Sequence, residues 1–510
     1  MANQASANSV DNIMHPTRNN RIRLLSPLTL LLTLVGIGLV LGGAYIIGAT
    51  PYGIYALGAV LALVFGLTIT LRPAIGVYVL FAFVYLNLSD ILTMRLGLPD
   101  SNKILFVLLL VGFIANRIVI HHKPIVFRKT EGVILAFGLV MLLSTFLAGN
   151  RAVATDRLLD WIKDFAILFL VIQLCGEEQV WKRSQWALIW MALLLASLSA
   201  FQVLTGNFEF SFGGLALSPF HQIVGEFDNA RVSGPIGDPN FYAQILLMVL
   251  PLAAYRLFDP QEKSHLRIVG GFSSLMIVAV VVFTYSRSAF VAMFLLGLLI
   301  ALERQFNPYK IAVVGVVAIL VFMPFIPAGY MDRLETLTDI LTGNNNAVQT
   351  ELSFRGRSSE MIIAGQMFAD KPLLGVGPGN YAVNYLDYSA NLGLDSRLEN
   401  RQAHSLYLEI AAEMGILGIL TFITMLIVVF VGTRRAKKLV ASINRADLHP
   451  WISAVQYSLT GYLLTSIFLH GDYTRYLWLI IALAVSCSVL AEQLVANHQS
   501  QQQTLEAREI

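Results

Sequence analysis

Arg401-Gln402-Ala403-His404-Ser405-Leu406-Tyr407-Leu408-Glu409 leads directly into the apolar run Ile410 to Val431. About 20 apolar residues are what a helix needs to cross a bilayer, so this stretch marks a junction between membrane and water. Helical spacing aligns Arg401, His404 and Leu408 on one face, with the imidazole near the expected helix start. A histidine there is able to take a proton from a hydroxyl at neutral pH. It is equally able to hydrogen-bond a loop at the interface.

The same pattern recurs along the chain. Of its 510 residues 56% are hydrophobic and 13% charged, against about 25% charged in soluble domains. The mean hydropathy is +0.67. An all-α polytopic membrane protein is expected, because barrel strands are about half as long as these runs. A formal charge of +3 is too small to imply nucleic acid. Cys175 and Cys487 sit inside apolar runs without metal-type spacing and read as packing residues.

Fourteen candidate spans follow in order: Leu25 to Ile47, Tyr55 to Leu71, Ala74 to Leu88, Ile104 to Ile120, Gly132 to Leu147, Trp161 to Cys175, Trp186 to Leu204, Phe241 to Leu257, Ile268 to Thr284, Ser288 to Leu302, Ile311 to Ile326, Ile410 to Val431, Trp451 to Leu469 and Tyr476 to Leu494. Merging neighbours divided only by Arg72-Pro73 and removing the short Trp161 run leaves twelve, so the expected range is 12–14. The first run is too long for a signal peptide and lacks a small-residue cleavage site. Most of the 35 Lys and Arg residues fall on one side if both termini are cytoplasmic. The expected organisation is a tail at 1–24, eleven membrane helices within 25–326, an external loop with short amphipathic helices at 327–409, three helices within 410–494, and a second tail at 495–510.

Basic residues on short outer segments run against this bias. Arg287, in Thr284-Tyr285-Ser286-Arg287-Ser288, lies at the membrane boundary between two apolar runs. Charge at that depth is costly and points to function, although an arginine also snorkels to lipid phosphates. Arg231 heads Arg231-Val232-Ser233-Gly234-Pro235-Ile236-Gly237-Asp238-Pro239-Asn240, a bent entry to a helix that Asp238 or Asn240 would cap. A helix N-terminus beside an arginine suits an anion. In the long loop, Gly375-Val376-Gly377-Pro378-Gly379-Asn380 lacks the ending of a phosphate-cradling loop and reads as a plain turn. Tyr381, Tyr385 and Tyr388 offer stacking faces to sugars or sit at the interface.

Together these motifs, with His404-Ser-Leu-Tyr-Leu-Glu409, Glu413-Met-Gly-Ile-Leu-Gly418 and His470-Gly471-Asp472, resemble the O-antigen ligase and polymerase family of bacterial membrane glycosyltransferases. The resemblance covers about 201–480. It implies a multi-pass protein of the bacterial inner membrane that moves a glycan from a polyprenyl diphosphate carrier to the hydroxyl of an acceptor glycan or glycolipid, in lipopolysaccharide or exopolysaccharide assembly. No cofactor and no metal are implied. Carried onto this chain, His404 is the candidate base, while Arg231 and Arg287 hold the leaving diphosphate. Arg355, Arg357, Arg401, Arg475, Asn240 and Tyr381 are further candidates for contact with diphosphate or glycan.

The alternative is an anion transporter, since some relatives have been labelled bicarbonate transporters. Inverted repeats would mark such a protein, and no internal repeat stands out. The topology has a direct test. Cysteines placed at Asn345 and Ser442 in intact cells are expected to differ, with Asn345 labelled by an impermeant thiol reagent and Ser442 protected. The reverse pattern inverts the orientation.

Overall fold

A computed structural model describes residues 53–98, 101–120, 125–218, 230–307, 352–392, 400–471 and 474–509, with 38, 122 and 309 as single positions. The expected spans Leu25 to Ile47 and Ile311 to Ile326 fall outside these residues. The chain divides into two units, 1–65 and 66–510. The described part of the first, from Gly53, is helical.

Fifteen helices account for the described chain: α1 Gly53–Leu71, α2 Pro73–Tyr85, α3 Leu88–Leu96, α4 Ser101–Ile114, α5 Lys129–Leu147, α6 Arg151–Leu174, α7 Glu178–Thr205, α8 Pro239–Leu257, α9 Ser264–Phe283, α10 Arg287–Glu303, α11 Leu352–Asp370, α12 Asn380–Leu392, α13 Leu406–Ser442, α14 His449–Thr465 and α15 Thr474–Glu509. The protein is an all-α polytopic membrane protein. Among the described residues seven helices are long and apolar enough to cross a membrane, or eight if the bent pair α2–α3 is one span. That pair bends by 64° where Asn87 takes a left-handed conformation, so the run expected from Ala74 to Leu88 ends early.

The second unit packs around α8, whose apolar window is 78% buried. Small residues on neighbouring helices permit this. A Cβ at Gly270 of α9 would lie 2.8 Å from the Ala253 carbonyl oxygen, and one at Gly461 of α14 would lie 3.1 Å from that of Leu247. Several polar groups on the contact faces pair with one another, which hydrocarbon surroundings favour. Ser199 of α7 meets the Tyr242 hydroxyl at 2.9 Å, and Gln244 donates to the Ser466 hydroxyl at 3.0 Å.

The opening stretch folds differently from its helical reading. α13 starts at Leu406, and His404 lies before it with φ 46°, so Arg401 and His404 share no helical face. Nor is the apolar helix continuous. Gly415 has φ 64° and ψ −160°, a conformation essentially reserved for glycine, and splits α13 into two helical pieces. The backbone of Pro372, Leu373 and Leu374 fills the break. The amide of Ile416 donates to Pro372 O at 2.7 Å, and a Cβ on Gly415 would fall 2.5 Å from the Leu373 carbonyl.

Gly415→Ala is therefore expected to lose about 1–3 kcal/mol to backbone strain alone, before any displacement of the 372–374 segment. Gly365→Ala, at an exposed helical position with open space around it, is expected to gain about 0.5–1 kcal/mol. Thermal unfolding of the purified variants in detergent checks both signs.

Candidate functional site

Arg231 and Arg287, 56 positions apart in sequence, meet at one turn. The segment carrying Arg231 is held by an isolated antiparallel bridge between Leu217 and Gly234: Leu217 N donates to Gly234 O at 2.8 Å, and Ser233 N to Leu217 O at 2.9 Å. Asn87 Nδ2 secures the loop further through Pro235 O at 3.1 Å. Arg231 is only 8% exposed. Its Nε donates to the carbonyl of Thr284 at 2.8 Å, and an Nη lies 3.4 Å from Asn240 Oδ1. Thr284 and Tyr285, the latter with φ 52°, form the turn between α9 and α10. Ser286 caps α10, and Arg287 is its first residue, half-buried. Arg231 thus braces the turn from which Arg287 projects.

The helix end expected to receive an anion beside Arg231 already holds one. Asp238 is the N-cap of α8, and its carboxylate accepts from the amides of Asn240 at 2.7 Å and Phe241 at 3.2 Å. Asn240 does not cap; its side chain faces Arg231.

His404 is fixed by a carboxylate from the long loop. Glu360 of α11 is fully buried, with one oxygen 3.0 Å from Arg401 Nε and the other 2.9 Å from His404 Nδ1. A buried carboxylate costs several kcal/mol unless paired, and the Arg401 guanidinium, with the His404 ring beside it, offsets that cost. The carbonyl of Gln402 is also 3.0 Å from His404 Nδ1. Both neighbours of Nδ1 are acceptors, so Nδ1 carries the hydrogen of the neutral ring, and Nε2 bears the lone pair. Arg401 and His404 are adjacent through this carboxylate and not through helical spacing.

The glycine-rich turn is a backbone clasp. Val376 N donates to Ala412 O and Gly377 N to Glu413 O, each at 2.9 Å. A Cβ on Gly375 would lie 2.2 Å from the Glu413 carbonyl carbon, so this approach is open only to glycine. The Glu413 carboxylate accepts from Gly379 N at 2.8 Å and Tyr381 N at 3.0 Å, at the start of α12. An anion thus does occupy this helix end, and it is the protein's own. Asn380 ties the clasp to the α5–α6 turn, accepting from Asn150 N at 2.8 Å and donating to Asn150 O at 3.1 Å.

Tyr381 has no face for a sugar. Its ring is buried beside Ile363, Met367 and Tyr385. Its hydroxyl donates to Glu360 O at 2.7 Å. Burial first, then the Glu360 charge, raises its pKa above the ordinary tyrosine value, which suits a permanent donor.

A contact path joins the two halves. The Phe241 ring lies 5.0 Å from that of His470, and His470 lies 5.3 Å from His404. Arg231, Asn240, Phe241, His470 and His404 are therefore linked, while Arg475 lines a separate cavity between α4, α6 and α15. The side chains of Arg355 and Arg357 and all of Asp472 lie outside the described residues.

Residues 272–423 match the family model for O-antigen ligase. The motif resemblance is upheld over that segment. No curated protein matches the chain. The O-antigen ligase segment contains Arg287, Glu360, the clasp, His404 and Glu413, while Arg231 and His470 lie outside it.

Sequence reading missed Glu360 and Glu413 as supports. Glu360 had a signal, being an acid at the edge of the apolar stretch Met361-Ile362-Ile363. Glu413 had a similar one, lying inside an apolar run. Glu413→Gln is expected to cost about 1.5–3 kcal/mol, the range for hydrogen bonds to a charged acceptor. Chemical unfolding in detergent measures it, and parental stability would show that the carboxylate does not hold the clasp.

Proposed function

We propose that the chain is a membrane glycosyltransferase that moves a glycan from a polyprenyl diphosphate to an acceptor hydroxyl on the outer face of a bacterial inner membrane, with both termini in the cytoplasm. The observation that carries this reading is the His404 ring with Nδ1 engaged by Glu360, which leaves Nε2 as the base. The O-antigen ligase match supports the reaction class.

In this mechanism His404 Nε2 removes the proton of the acceptor hydroxyl as its oxygen attacks the anomeric carbon. The bond from that carbon to the diphosphate oxygen breaks, and the diphosphate departs with the electron pair. Arg287 meets the developing charge with paired N–H donors suited to phosphate oxygens. Arg231 adds positive charge beneath the turn and keeps Arg287 in place. Glu360 stabilises the imidazolium formed at His404, as a carboxylate behind a catalytic histidine does elsewhere.

Purified protein supplied with a lipid-linked glycan allows transfer and donor binding to be measured separately. His404→Ala is expected to slow transfer by roughly 10² to 10⁴ while donor binding persists. Arg287→Lys keeps the charge but loses the paired geometry, so both readouts are expected to fall. Glu360→Gln is expected to slow transfer with donor binding intact. Full transfer by His404→Ala removes the histidine from the chemistry. Glycans of a deletion strain divide the two subclasses: single repeats on the surface mark a polymerase, and full-length chains left on the carrier mark a ligase.

A further inference from the structure

The cavity that takes Arg475 has about 380 Å³ of space, within the range of small-molecule sites. Lys103, Arg157, Lys163 and Arg475 line it together with Asp160 and Asp164. Asp160 pairs with Lys163 at 2.5 Å, and Asp164 accepts from Thr474 Oγ1 at 3.5 Å. Four cations against two carboxylates make the cavity net positive at neutral pH. Phe106 and Val107 complete one wall. From there an apolar stripe, Ile104, Val107 and Val111, continues along α4 at helical spacing, with Val107 54% exposed. A cationic hollow opening onto an apolar stripe is complementary to a phosphorylated headgroup on a hydrocarbon chain.

Its position relative to the histidines is informative. Arg157, Asp160 and Thr474 also line a second, smaller hollow, which includes Glu409, Leu406 and Gly471. Glu409 accepts from the amide of Gly471, the neighbour of His470. The contact path from Arg231 through Phe241 to His470 and His404 therefore continues to Arg157 and the cationic cavity. Along this path the histidine pair has Arg231 towards one end and Arg157 towards the other. A single diphosphate needs only one of them.

We propose that this cavity binds the phosphate or diphosphate headgroup of a second membrane amphiphile, and that this amphiphile is the acceptor. The naming of the occupant as acceptor rests on the transferase reading above; the site itself does not. With donor diphosphate at Arg287 and acceptor phosphate at Lys103 and Arg475, both reacting sugars reach His404 from anchored lipids.

Full-length protein in phosphatidylcholine nanodiscs, which carry no net lipid charge, is titrated with farnesyl diphosphate by calorimetry. Two bound equivalents are expected. Combined Lys103→Gln and Arg475→Gln is expected to weaken one of them by roughly tenfold or more, as loss of charge-assisted bonds predicts, and Arg287→Gln the other. Lys163→Glu, at a half-exposed side chain, should weaken the same equivalent as the pair and guards against misfolding of the double variant. Inorganic pyrophosphate is expected to bind the cavity roughly tenfold more weakly than farnesyl diphosphate or worse. Equal affinity would replace the lipid headgroup with a free anion and overturn the proposal. A single equivalent, lost with Arg287→Gln, overturns the second site and leaves the transferase reading standing. An equivalent lost only with the cavity variants keeps the site and removes the donor role of Arg287.

Discussion

Direct backbone contact between the 372–381 clasp and the broken helix α13 is the constraint on which the site depends. Two glycines make it possible, because a Cβ at either Gly375 or Gly415 would sit within 2.5 Å of the opposing main chain. Glu413 completes it by supplying both carboxylate oxygens to amides at the start of α12. Ser144 of α5 adds to the same point, its hydroxyl lying 2.7 Å from Leu374 O and 2.9 Å from Glu413 O. Three separate segments therefore meet at the break in α13, between Ala412 and Ile416, while His404 projects from a left-handed backbone before the start of that helix.

That anchoring explains how the segment before α13 is able to hold the geometry of the candidate site. Loops are ordinarily the mobile part of a fold. Here α11 and α12 are tied through Tyr381 and Tyr385 into a small core with Ile363 and Met367. This core buries Glu360 where Arg401 and His404 converge on it. The cost of the buried carboxylate makes the pairing obligatory, so the orientation of the imidazole follows from electrostatics rather than from helix register.

The membrane helices contribute a rigid floor. α8 is enclosed by α7, α9 and α14, and its first turn carries Asn240 and Phe241 toward Arg231 and His470. Asn240 in the first turn of α8 lies against Arg231, whose Nε donates to Thr284 O and so braces the turn that carries Arg287. The motifs that share no helix are thus joined through the packing of one central helix.

Much of this is legible in the order of the amino acids. Apolar runs of bilayer length dictate membrane helices, since hydrocarbon leaves the backbone no other partner than itself. Charge at the boundary singles out Arg231, Arg287 and His404, because its placement there is expensive. Residue spacing does not reveal that Arg401 and His404 meet through Glu360, that the glycine turn clasps a break at Gly415, or that Tyr381 is core. Each of those facts is a contact between segments distant in sequence, and local periodicity carries no information about such contacts. Sequence alone settled the solvent in which the chain folds; only the tertiary structure decided which carboxylate faces which cation, because burial and pairing are properties of the packed chain.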